Sequence, residues 1–226
     1  ASTLASLTQL ELSQVNLNAH AAALKSSDWL SFVPSLLELN VSGNKLEVVE
    51  NLPPGLRSLA AYCNHISSVS MPPLPSLVHV GLGYNLIDDT ELPTIVSTFP
   101  GAVILDVCSN SLTSLTEALR HASSLPDLQH LLLQGNPCAL VHGYRRVILE
   151  TLPNLSSLDD TPVDVEEVEA ILEAKRARES GEAEEGAAAA AAAARCGIGC
   201  GPCAPPACLR GFGGDGSPDG QSDCCP

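Results

Sequence analysis

The sequence predicts an α/β solenoid: short parallel strands stacked into one concave sheet, with a mixed helical and irregular convex side, a C-terminal cap helix and a disordered tail. Three observations predict it. An apolar spacing, apolar-x-x-apolar-x-apolar-x-x-Asn-x-apolar, recurs along the first two thirds of the chain. An asparagine stands at the same place in five of the copies. The copies begin at 7, 36, 56, 77, 102 and 128, with a partial one at 155, so the intervals are 29, 20, 21, 25, 26 and 27 residues. Units this short cannot bury an apolar face alone, and stacking them creates a shared core.

The copies read in order as Leu36, Leu39, Val41, Asn44, Leu46; Leu56, Leu59, Ala61, Asn64, Ile66; and Leu77, Val80, Leu82, Asn85, Ile87. Two more follow, Ala102, Leu105, Val107, Asn110, Leu112 and Leu128, Leu131, Leu133, Asn136, Cys138. The first copy, Leu7, Leu10, Leu12, Leu17, has Val15 where asparagine is expected. This is the leucine-rich repeat spacing. The asparagines are read as structural, each amide satisfying backbone groups where the chain turns out of a strand.

Intervals near 20 leave room for a turn on the convex side, and those of 25 or more leave room for a helix. Asn18 is placed to cap a helix over 19–24. Pro53-Pro54 and Pro72-Pro73-x-Pro75 exclude helix and suit extended segments. Asp89 or Thr90 is expected to cap a helix over 91–99 with Pro93 in its first turn. Ser114-Leu115-Thr116-Glu117 reads as a capping box, serine and glutamate each satisfying an orphan amide of the other.

The array closes with Gly135-Asn136-Pro137, Tyr144-Arg145, Leu152-Pro153-Asn154-Leu155 and Leu158-Asp159. In these residues the chain resembles the intracellular leucine-rich repeat class that ends in a Gly-Asn-Pro, Tyr-Arg helix, Leu-Pro-x-Leu-x-x-Leu-Asp cap. That class includes the spliceosomal A-prime protein, the leucine-rich regulator of protein phosphatase 1 and the axonemal dynein leucine-rich light chain. The resemblance covers roughly residues 7–163 and implies a binding protein without catalysis. It expects an amphipathic helix over 141–149, carrying Tyr144, to cover the last repeat, with Leu155 and Leu158 supplying a final strand edge.

Beyond the cap, Thr161-Pro162-x-Asp164 reads as a helix start with proline at the first position. Val165, Val168, Ile171 and Leu172 recur at helical spacing opposite Glu166, Glu167, Glu169 and Glu173, giving a helix over about 162–180 that alanine and glutamate continue. The expected organisation is a repeat domain with its cap over 1–163, an acidic, alanine-rich helix over 164–194 and a Cys/Gly/Pro-rich disordered tail over 195–226. With Ala1 at the start and Met71 its single methionine, the sequence reads as a piece of a longer or processed chain.

The 26 acids outnumber the 11 bases, for a formal charge of −15. Such a surface repels phosphate backbones, which argues against direct nucleic-acid binding and favours a basic partner segment. No apolar run reaches the roughly 18 residues a membrane span needs. Cys63, Cys108 and Cys138 fall in separate repeats with no pairing pattern, which points to a reducing, cytoplasmic compartment.

Catalytic and metal chemistry find little support. Cys196-x3-Cys200-x2-Cys203, with Cys208, has the spacing of an iron–sulfur site, and thiolates suit iron and zinc. Nothing around it shields a cluster from water, so it reads as cysteine-rich tail. Asp215-Gly-Ser-Pro-Asp219 imitates a calcium loop, but the twelfth position is Pro226 where a bidentate glutamate is required. His79 and His130 share a strand position two strands apart, about 10 Å, with Ile104 between. Cys63 and His65 lack a third group to orient the histidine. The sequence therefore predicts no cofactor, no metal and no enzyme.

Strand alternation assigns the concave face instead. It collects Glu38, Asn40, Tyr62, His79, Ile104, Asp106, His130, Leu132 and Gln134, with Arg57 and Tyr84 at its margins. Small residues among them, Ala60, Gly81 and Gly83, make a trough, and Tyr62, Ile104 and Leu132 resemble interface anchors. The predicted guest is a helix or extended segment of a protein partner within a large assembly. The expected function is a scaffold or adaptor, with a ciliary axoneme component preferred to an enzyme regulator, such as a phosphatase subunit, or a ribonucleoprotein scaffold.

Overall fold

The computed structural model describes residues 7–14 and 33–195, and for 181–195 the backbone alone. The chain divides into two compact units, Ala1–Glu179 and Ser180–Pro226. The expected helix over 19–24, the tail cysteines and the calcium-loop imitation lie outside the described residues.

In the first unit each copy of the repeat contributes one short strand. These are β1 (Gln9–Glu11), β2 (Glu38–Asn40), β4 (Ser58–Ala60), β6 (His79–Gly81), β7 (Ile104–Asp106), β8 (His130–Leu132) and β9 (Ser157–Leu158). They pair parallel, neighbour to neighbour, with each repeat in register with the last: Leu10, Leu39, Leu59, Val80, Leu105, Leu131 and Leu158 stand side by side. From Leu39 onward this row is buried, together with Leu36, Leu56, Leu77, Leu128 and Leu155. Fully burying one such side chain contributes about 1.5–3 kcal/mol, so the shared spine, more than any single strand, holds the unit together.

The convex side follows the interval arithmetic. The short repeats carry two-residue strands, β3 (Val48–Val49) and β5 (Ser68–Val69), paired parallel with each other. The longer ones carry helices α1 (Leu92–Thr98) and α2 (Leu115–Ala122), whose inner faces bury Ile95, Val96, Ala118 and Leu119. Pro93 lies in the first turn of α1, but that helix has no side-chain cap. Asp88 instead accepts from the backbone N–H of Thr90 (2.9 Å), and Asp89 reaches forward to the N–H of Ser114 (3.2 Å). The capping box of α2 is therefore half-formed. Ser114 Oγ accepts from the Glu117 N–H at 3.3 Å, but the Glu117 carboxylate pairs with Arg120 and leaves the reciprocal place to Asp89.

The cap also departs from expectation in its boundaries. A 3-10 turn occupies Pro137–Leu140, Gly143 stands in the left-handed region at φ 73°, and α3 begins only at Tyr144, running to Thr151. Val141, expected as the first residue of that helix, lies before it and is exposed. Ile148 and Leu149 do close the last repeat. Thr161–Pro162 forms β10, antiparallel to β9, rather than the start of a helix. A proline at a sheet edge has no N–H to offer a further strand, and so ends the sheet. The last helix, α4, begins at Val165 and runs to Arg195. Within the first unit it is held by Arg145–Glu167 (2.7 Å) and Arg178–Glu150 (2.5 Å).

Candidate interaction site on the concave sheet

The parallel register turns the alternate strand residues into rows across the face. One row runs Gln9, Glu38, Ser58, His79, Ile104, His130, Ser157, and the next Glu11, Asn40, Ala60, Gly81, Asp106, Leu132. Ser42, Tyr62, Gly83, Cys108 and Gln134 continue beyond them, tied together by the bonds of the turns, such as Cys63 N–H to the Gly83 carbonyl (3.1 Å). Arg57 is exposed at the edge in line with Leu37, Val78 and Val103, each amide donating to the previous carbonyl. Tyr84 lies on the turn side, 60% exposed.

The asparagines lie behind this face as a ladder. Asn64 Nδ2 donates to the carbonyls of Val41, Ala61 and Tyr62 at 3.1 Å, and its Oδ1 accepts from the N–H of Asn44 and Leu46. Asn85 and Asn110 repeat this toward Leu82, Gly83, Val107 and Cys108, and Asn136 toward Val107 and Leu133. Asn44 reaches the carbonyl of Leu12 (2.6 Å). Every one is buried and bonds the repeat before its own. The residue before each of these asparagines takes positive φ: Gly43, Cys63, Tyr84, Ser109 and Gly135. Only the two glycines announce this in the sequence. Asp159, which spacing alone did not single out, ends the series by accepting from the N–H of Leu133 (2.8 Å) and Gln134 (2.9 Å).

The expected trough is altered at its centre. The Tyr62 ring lies flat over Gly81 and Gly83, so close that a methyl on Gly81 would sit 2.5 Å from it. The glycines serve as the bed for the ring, and Tyr62 is a half-buried plate rather than a protruding anchor. Its hydroxyl faces Asp106, and burial, then that charge, hold the phenol well above its ordinary titration. Burial and the Asp106 carboxylate likewise push the Cys108 thiol up to about 12, so it is protonated at neutral pH and no nucleophile. Ile104 and Leu132 are half-buried beside their neighbours. His130 Nδ1 lies 2.7 Å from Ser157 Oγ, and His79 Nδ1 lies 3.4 Å from Ser58 Oγ, so each histidine is oriented by a serine on the adjacent strand. Tyr144, on α3, turns its hydroxyl inward, without an ordinary hydrogen bond; burial first and then Asp159 raise its titration far above a free phenol.

At the other end of the face the strands of the first three repeats form an open recess of about 340 Å³, lined by Gln9, Glu11, Glu38, Asn40, Ser58 and Ala60. Asn40 Nδ2 donates to Glu11 (2.8 Å) and Gln9 Nε2 to Glu38 (2.6 Å). The Ser13 contact holds the Glu11 carboxyl below the usual carboxylate range. Gln9 and Glu11 were missed in the sequence for want of an asparagine in their repeat, though their register with Glu38 and Asn40 would have placed them. Among the described residues no group of three His, Cys, Asp or Glu side chains has metal-holding geometry. Among them, too, no helix is long and apolar enough to cross a membrane.

Comparison with known proteins agrees with this architecture. No family model matches the chain. Mouse leucine-rich repeat-containing protein 43 is 40% identical over 153 residues, 64% of this chain and 23% of that protein. The chain thus spans under a quarter of this relative's length. The Caenorhabditis elegans acidic leucine-rich nuclear phosphoprotein 32-related protein 1 is 32% identical over 139 residues, 61% of this chain and 56% of that protein. A leucine-rich fold is also shared with the Drosophila melanogaster SNF/U2A' complex, at a TM-score of 0.53 and 19% identity over 65% of this chain and 85% of that one. The chain is a leucine-rich repeat protein, closed by the cap that its C-terminal motifs mark.

Proposed function

We propose that this protein is a non-catalytic scaffold that docks a helix or extended segment of a protein partner on its concave sheet. The single observation that carries the reading is the sheet itself. Six strands from β1 to β8 present rows of side chains in unbroken register, with Ile104 and Leu132 on the last two of them and polar groups around them. A half-buried apolar patch among polar groups is the anatomy of a protein interface. Relatives built of the same repeats support the reading at the level of protein binding. We further propose an intracellular site of action in the ciliary axoneme, supported by the likeness of the cap to a class that includes an axonemal dynein light chain.

The test is quantitative affinity purification of the full chain from ciliated cells, beside an Ile104→Ala/Leu132→Ala variant of unchanged circular dichroism. Partners recovered with wild type and lost with the variant are the expected result, and their co-fractionation with salt-resistant axonemal microtubules supports the finer reading. Partners recovered equally well with both would place docking elsewhere.

A further inference from the structure

The concave face carries carboxylates at both of its ends, and among the described residues its nearest cation is Arg57, at the margin beside β4. Glu11 and Glu38 stand at the first end, in the recess; Asp159 and Asp160 stand at the other, past β9, while Asp106 on β7 is buried against the Tyr62 hydroxyl. No lysine or arginine occupies a concave strand position from β1 to β9. Arg120 and His121 pair with Glu117, Arg145 with Glu167, and Arg146 and Arg178 with Glu150, all away from this face. The carboxylates of the face are held by amides instead, Glu38 by Gln9, Glu11 by Asn40, Asp106 by the Cys108 N–H and Asp159 by two backbone amides. Amide partners fix direction and leave the charge in place. Between the two ends Ile104 and Leu132, on β7 and β8, and the Tyr62 plate form the apolar part of the face, with Asp106 buried beside them.

From these observations we propose that the concave face takes a basic protein segment whose lysines or arginines lie toward its two ends, with apolar residues between them. The inference rests on the docking reading above and adds the chemistry of the guest. Charge complementarity of this kind selects the partner and sets its register. Strands about 4.8 Å apart put β1 and β9 about 29 Å from each other. A helix of about 20 residues laid across the strands spans that distance. The recess of about 340 Å³ has room for the end of a lysine or arginine side chain between Glu11 and Glu38.

The experiment selects a random library of 20-residue segments, displayed on phage, against the full chain. The enriched segments are then measured on wild type, on Glu11→Gln/Glu38→Gln, on Asp160→Asn, and on an off-face control, Asp127→Asn/Glu173→Gln. The expected result is enrichment of segments with basic ends, at least tenfold weaker on either end variant and unchanged within twofold on the control. Affinity should also fall at least tenfold between 50 and 300 mM NaCl, because exposed charges are screened. Glu38→Gln alone, at an exposed position, repeats the loss where folding is not at issue. No enrichment, enrichment without a basic excess, or equal losses on the control would overturn the proposal. Neutral segments that are lost with Ile104→Ala/Leu132→Ala would overturn it while leaving the docking reading intact. Binding indifferent to every concave substitution would end both.

Discussion

Asn110 makes four bonds to backbone groups, accepting from the Ile87 N–H and donating to the carbonyls of Leu82, Val107 and Cys108. Truncation to alanine leaves these groups buried without partners, so Asn110→Ala is expected to cost about 1–3 kcal/mol. A urea-midpoint shift worth under about 0.5 kcal/mol would contradict it. Gly101 gives a second test at this scale. A methyl there would lie 2.2 Å from the Pro75 carbonyl oxygen, a backbone atom that cannot step aside, whereas at Gly55 it would meet nothing within 4 Å. Gly101→Ala should therefore cost about 1–3 kcal/mol, and Gly55→Ala should be neutral or mildly stabilising, in the same urea titration. The ladder was legible in the sequence because asparagine recurs at one spacing. The left-handed turns were not, because Cys63, Tyr84 and Ser109 carry no glycine signal. Nor was the place of Tyr62, which depends on two glycines of the next strand.

At the scale of elements the strands and the two inner convex helices could be read from apolar spacing, and errors gathered at their ends. Ser114 was recognisable as a cap, yet its box is shared with Asp89, a residue one repeat away that local sequence does not associate with it. Ser114→Ala should cost about 1 kcal/mol. The start of α4 moved from Pro162 to Val165 because a strand edge competed for the same residues. Its first turns are anchored by Arg145, whose guanidinium holds the Glu167 carboxyl below its ordinary 4.5. A lowered carboxyl contributes stability above its unfolded value and loses it as pH falls through the folded one. Amide exchange over 165–172 should therefore quicken below about pH 4.5, relative to intrinsic rates. In Glu167→Gln that acid limb should disappear. An identical limb in the variant would show that the pair does not anchor the helix.

The first unit as a whole behaves as a stack in which each repeat touches its neighbours, so its face is a property of the array and of no single repeat. The apolar spine was visible from leucine spacing alone, since every repeat states it again. The two-ended charge of the face was not, because Glu11 joins Glu38 at one end, and Asp159 and Asp160 come to the other past β9, only through strand register. The edge after β9 is ended by Thr161–Pro162 and followed by α4, which leaves the concave surface as the broad ordered face of the repeats. The most direct test of its role is photo-crosslinking in cells. A benzoyl-phenylalanine is placed singly at 79, 104 and 130 on the sheet, and at the exposed positions 70, 97 and 123 away from it. Adducts to the same protein partner from the sheet positions, and none from the others, are predicted. Adducts arising only from 70, 97 or 123 would contradict the account.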